Sequence, residues 1–170
     1  NIGVIVDSSD PDEAYADIPT GISEAGDNGY VLVREGTYNS APITVDQPGL
    51  TIAAAESADP TVDASGAESG FDVKVDGVTI RGLTVADAGK DISSGEVEGI
   101  FIGNPNGFTD KDGEITIDDV DINNVDGTSK STEGIHIKHY NAGDPIDSVN
   151  ISSVSIDGVD SGGAGGNGIK

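Results

Sequence analysis

Short alternations of apolar and polar residues recur along this chain at a nearly fixed interval. Gly-φ-x-φ, with φ apolar, occurs as Gly70-Phe71-Asp72-Val73, Gly99-Ile100-Phe101-Ile102 and Gly134-Ile135-His136-Ile137. It begins again at Gly168-Ile169-Lys170, and the last two intervals are 35 and 34 residues. A second pattern, φ-x-φ-x-x-φ-x-φ, follows each of the first three. Its instances are Val78-Ile80-Leu83-Val85, Ile115-Ile117-Val120-Ile122 and Val149-Ile151-Val154-Ile156, with an earlier relative at Leu50-Thr51-Ile52. Period-two alternation over a few residues predicts short strands. The intervening x-x pairs (Arg81-Gly82, Asp118-Asp119, Ser152-Ser153) predict bends.

Three short strands and one longer loop per repeat describe one coil of a parallel β-helix. A single coil cannot bury its own apolar face, so coils must stack on one another. Stacking places Phe71, Ile100, Ile135 and Ile169 inward. It places Asp72, Phe101, His136 and Lys170 outward in one column, with Lys74, Gly103 and Lys138 in the next. Thr51, Thr79, Thr116 and Asn150 form another outward column, expected to hydrogen-bond along the helix axis. The pattern thus predicts an all-β fold of about four to five coils over 29–170, preceded by a cap over 1–28. In the cap, Ile2, Val4 and Val6 predict a strand. Asp10, Pro11 and Glu13 predict a helix start, as N-cap, first helical residue and capping-box partner. Tyr15, Ile18 and Ile22 supply the apolar stripe, and Pro19 is expected to kink or split that helix. At the other end, Gly168-Ile169-Lys170 opens a coil that the sequence does not close, and Asn1 follows no leader. The chain is therefore expected to be a processed or trimmed piece, its last coil belonging to a fragment of a longer chain or completed by another chain.

A cap strand, a capping helix, Val31-Leu32-Val33 leading to Gly36-Thr37-Tyr38, and then Leu50-Thr51-Ile52 resemble the opening of pectin-lyase-like proteins. That resemblance implies a right-handed parallel β-helix. It also implies that the Gly-φ-x-φ strand borders the groove where the family's polysaccharide lyases and hydrolases bind substrate.

Charge narrows the partners. The chain holds 31 acidic residues against 8 Lys and Arg, a formal net charge of −23, and no Cys. Binding nucleic acid needs clustered cations, so that partner is excluded, and an anionic membrane surface is disfavoured for the same reason. No segment is apolar enough to span a bilayer. Zero Cys excludes thiolate metal sites and cysteine catalysis. Scarce lysine, abundant small residues and a carboxylate excess that molar salt would screen resemble proteins of extreme halophiles.

Against this acidic background, half of the Lys, Arg and His residues fall on the Gly-φ-x-φ face. Lys74, Phe101, His136, Lys138, His139 and Tyr140 are the candidate sugar groove, suited to an acidic polysaccharide. The alternative is that these cations pair with local acids such as Asp72. Asp110, Asp112 and Glu114, around an Asp-x-Asp-Gly turn, are candidate Ca²⁺ ligands because hard oxygen donors suit that ion. Asn150 opens the sequon Asn150-Ile151-Ser152 and is expected to face solvent as a glycosylation site. Asp118-Asp119 is a thin match to the aspartate pairs of the family's hydrolases, so no catalytic residue is assigned. The expected function is a structural or adhesive protein of a halophile's extracellular surface, a rod, spike or filament subunit associating end to end. The alternative is a polysaccharide-binding or polysaccharide-degrading protein.

Overall fold

The structure is a computed structural model that describes residues 3–10, 14–92, 95–108, 113–127, 131–138, 140, 146, 148–162 and 166–170. It is a right-handed parallel β-helix. After strand β1 (Gly3–Val6) and helix α1 (Ile18–Ala25), the chain runs through five coils of three strands each. The coils are β2 (Tyr30–Val33), β3 (Thr37–Tyr38) and β4 (Ile43–Val45); β5 (Thr51–Ala54), β6 (Thr61–Asp63) and β7 (Ser69–Val73); β8 (Thr79–Arg81), β9 (Thr84–Ala86) and β10 (Val97–Ile102); β11 (Ile115–Asp118), β12 (Asp121–Asp126) and β13 (Thr132–Ile137); and β14 (Val149–Ser152), β15 (Ser155–Asp160) and β16 (Gly166–Ile169). Like strands stack into three parallel sheets: β1-β2-β5-β8-β11-β14, β3-β6-β9-β12-β15 and β4-β7-β10-β13-β16.

The register follows the repeat. Ile52, Ile80, Ile117 and Ile151 stand over one another in the first sheet. Val62, Val85, Ile122 and Ile156 do so in the second, and Ile43, Phe71, Ile100, Ile135 and Ile169 in the third. Most of these side chains are fully buried and form one continuous core. β-Branched residues suit a strand that must pack against copies of itself above and below. The bends between the first and second sheets take left-handed backbone at Gly82 (φ 69°), Asp119 (φ 53°) and Ser153 (φ 53°). Those are the second residues of the x-x pairs, and Asp tolerates that conformation better than most side chains do.

The cap differs from expectation. Asp10 does not start the helix, and Pro11 and Glu13 lie outside the described residues. Tyr15 is extended instead, its N–H donating to Ile5 O at 2.9 Å and its carbonyl accepting from Asp7 N at 2.8 Å. That pairing with β1 excludes helical backbone there. The N-cap is Asp17, whose carboxylate accepts from Thr20 N at 2.8 Å. Pro19 therefore lies in the first turn, where it forfeits no helical hydrogen bond, and opens the helix rather than splitting it. Ile18, Ile22 and Ala25 are buried against the first coil. Gly21 brings the helix so close that a Cβ there would sit 2.5 Å from Val6 Cγ2.

Candidate functional site

The third sheet departs from plain alternation at Gly70, Gly99 and Gly134. Ile100 is fully buried, and a Cβ on Gly99 would lie 2.5 Å from the core methyl Ile122 Cγ2, so two consecutive residues face inward. Gly134 and Ile135 repeat this against Ile156. Only glycine allows that corner, because any side chain would strike the second sheet. The residues flanking the corner, Glu98 with Phe101 and Glu133 with His136, are left on the outer face. Pairing in register sets Glu98 beside Glu133 and Phe101 beside His136.

Four side chains meet there. His136 Nδ1 lies 3.0 Å from Glu98 Oε1 and 3.9 Å from Glu133 Oε2, and the Phe101 ring meets the imidazole edge-on at 5.6 Å between centroids. The side chains of His136 and Glu98 are each only 7 % exposed, and that of Glu133 is 0 % exposed. Burial pushes the Glu98 carboxyl above its ordinary range, and the hydrogen bond to His136 opposes that rise. Glu133 Oε1 is held by Ser131 Oγ and by Lys170 Nζ at 3.1 Å, whereas its Oε2 has no hydrogen-bond partner.

The rim is charged and open. Glu96 accepts from Lys138 Nζ at 3.3 Å, and this bond holds the Glu96 carboxyl below its usual range and lifts the Lys138 ammonium. The same ammonium stands 5.3 Å from the Tyr140 ring centroid. Lys74 pairs with Asp72 at 2.8 Å. Together these groups border a cleft of about 320 Å³ whose walls include Lys74, Glu98, Phe101, Lys138 and Tyr140.

Lys74, Phe101, Lys138 and Tyr140 line one cleft, while His139 lies outside the described residues. His136 requires a correction. It does stack in the Phe101 column, but Glu98, Glu133 and Phe101 cover it, so it is a buried partner of carboxylates rather than an exposed groove residue. The three lysines of this face pair with Asp72, Glu96 and Glu133, the local-acid arrangement. Asp110 and Asp112 lie outside the described residues. Glu114 is exposed and accepts from Thr116 Oγ1 at 3.3 Å, so this threonine bonds within its own coil rather than along the axis. Asn150 is exposed on β14. Asp118 accepts from Ser152 Oγ at 2.7 Å at a different corner of the coil, apart from the His136 cluster.

Sequence reasoning missed Glu96, Glu98 and Glu133. A signal was present: the residue before each repeat glycine is Ser69, Glu98, Glu133 or Asn167, polar in every coil. Chemically, three carboxylates and an imidazole on one partly roofed face can hold a cation, and the cleft beside them gives access. No protein-family model, curated protein or solved structure matches this chain.

Proposed function

We propose that the protein is a structural or adhesive module of an extracellular surface, a secreted member of the pectin-lyase-like superfamily adapted to concentrated salt. The observation that supports this reading is the continuous register of the coils, in which Ile43, Phe71, Ile100, Ile135 and Ile169 stack in one column and Ile52, Ile80, Ile117 and Ile151 in another. Coils that stack on copies of themselves within one chain suit a rigid rod, and the same stacking between two copies is a head-to-tail contact that propagates into a filament. A net charge of −23 opposes that contact in dilute buffer, and molar salt, with a screening length of about 3 Å, relieves it. Electron microscopy of the chain at rising concentration in molar salt tests this. End-to-end arrays are the expected result. A monodisperse single particle at every concentration overturns the filament.

The cleft favours a second reading, saccharide binding, because Phe101 and Tyr140 flank ammonium and carboxylate groups there. Four carboxylates (Glu68, Asp72, Glu96 and Glu98) outnumber two lysines (Lys74 and Lys138) in its walls. Neutral or amine-bearing sugars therefore suit it better than the acidic polysaccharide expected from sequence. Tyr140→Ala combined with Lys138→Ala should abolish retention on a panel of neutral and amino glycans. Unchanged retention, or retention of acidic glycans alone, removes this reading.

A further inference from the structure

We propose that Glu96, Glu98 and His136 form a binding site for a divalent first-row transition ion of the zinc type, with Glu133 supplying a buried negative charge beside it. One ligand atom from each of the three residues lies within 4.8 Å of the others. The His136 Nδ1 to Glu98 Oε1 separation of 3.0 Å matches the spacing of two atoms bound to one ion. Donors at about 2.0–2.2 Å from zinc, at angles from right to tetrahedral, stand roughly 2.9–3.4 Å apart. The pair that now shares a proton is therefore spaced to share a metal. One imidazole nitrogen with carboxylate oxygens is a borderline donor set, which suits zinc and its neighbours, whereas Ca²⁺ and Mg²⁺ prefer oxygen alone.

A cluster of carboxylates would not carry this by itself on so acidic a chain. The second observation is Glu133. Its side chain is 0 % exposed, and Oε2 faces His136 Nδ1 at 3.9 Å without a hydrogen-bond partner. A buried carboxylate oxygen left unpaired beside an imidazole is costly. A cation at the imidazole offsets that cost by bringing positive charge next to it. Oε2 stands on the Nδ1 side of the ring, so it faces the ion directly and adds a buried negative charge beside the site.

Access and competition are also visible. Glu96 is 46 % exposed at the cleft rim and ligates by turning from Lys138. The Tyr140 ring, 5.3 Å from that ammonium, offers the displaced lysine a resting place. Glu96, Glu98 and His136 supply three ligands, and the cleft leaves a further position for water or an oxygen ligand. The site depends neither on filament formation nor on saccharide binding.

Calorimetric titration of the purified chain with Zn²⁺ alone, in a non-chelating buffer near neutral pH, tests the proposal. One equivalent is expected to bind with proton release, and a hundredfold excess of Mg²⁺ should not displace it. His136→Asn and Glu98→Gln should each remove the stoichiometric phase. Because those side chains are buried, Glu96→Gln at the exposed rim provides an independent test that leaves the core untouched, and it should weaken binding in the folded protein. Glu133→Gln removes the buried negative charge beside the ion and should weaken binding severalfold. Lys138→Ala should tighten binding by about two- to fivefold, the worth of one exposed ion pair. Zinc uptake that is multiple, displaced by Mg²⁺, or unchanged in both Glu96→Gln and His136→Asn would show only the diffuse attraction of an acidic surface, and would overturn the site.

Discussion

Two outward columns on the same stack have opposite fates. In the first sheet, Thr51, Thr79, Thr116 and Asn150 follow one another in register, and each remains at least partly open to solvent. In the third sheet, Phe101 and His136 are just as well registered, yet the imidazole is buried among Glu98, Glu133 and the Phe101 ring. Strand periodicity decides which side of a sheet a residue takes. It does not decide whether that side is wet. The small polar residues of the threonine column leave the surface bare. On the third sheet, the glycine corner places two outward residues three positions apart on each strand, and their long side chains roof one another. A buried polar network is therefore built on the outside of the coil, where a surface would be expected.

The largest test of this contrast removes the imidazole. His136→Ala leaves the Glu98 and Glu133 carboxylates buried without it. Stability should fall by about 3–5 kcal/mol, as when one partner of a buried ionic group is deleted, read from the denaturant midpoint. Gly99→Ala comes next. Its Cβ would meet Ile122 Cγ2 at 2.5 Å and the Gly134 carbonyl oxygen at 2.6 Å, so the corner must shift, at a cost of about 1–3 kcal/mol. If Gly99→Ala proves neutral, the corner is not what shapes this face.

Acid–base linkage gives a smaller effect of known sign. Burial, the leading cause, raises the Glu98 carboxyl above its ordinary value of 4.5. The folded protein thus retains a proton that the unfolded chain has already released. That contribution is fully present in acid and is lost as pH rises through the raised value. Measured in chelator, the wild type should lose stability relative to Glu98→Gln as pH climbs above about 4.5. A pH-independent difference would mean that the carboxyl does not titrate abnormally. At the bottom of the scale, Thr116→Ala in the open column should change stability by no more than about 0.5 kcal/mol.

The fold was legible because a solenoid writes its geometry into its sequence. Ile80, Ile117 and Ile151 occupy one position of the repeat and one column of the core. The cap was less legible, since Asp10-Pro11 and Asp17-Ile18-Pro19 both offer helix-start chemistry. Backbone pairing of Tyr15 with β1, a tertiary contact, decides between them. The cleft was half legible. Alternation brought Lys74, Phe101, Lys138 and Tyr140 to one face, but it could not show that Gly99 and Ile100 both turn inward. That break is what carries Glu98 to His136, and with it the acidic half of the site.

The most direct measurement is an anomalous-scattering map at the zinc edge from crystals grown with Zn²⁺. One peak about 2.0–2.2 Å from donor atoms of both Glu98 and His136 is the result predicted for a bound ion. Peaks confined to exposed carboxylates away from the third sheet, or none at all, would contradict it.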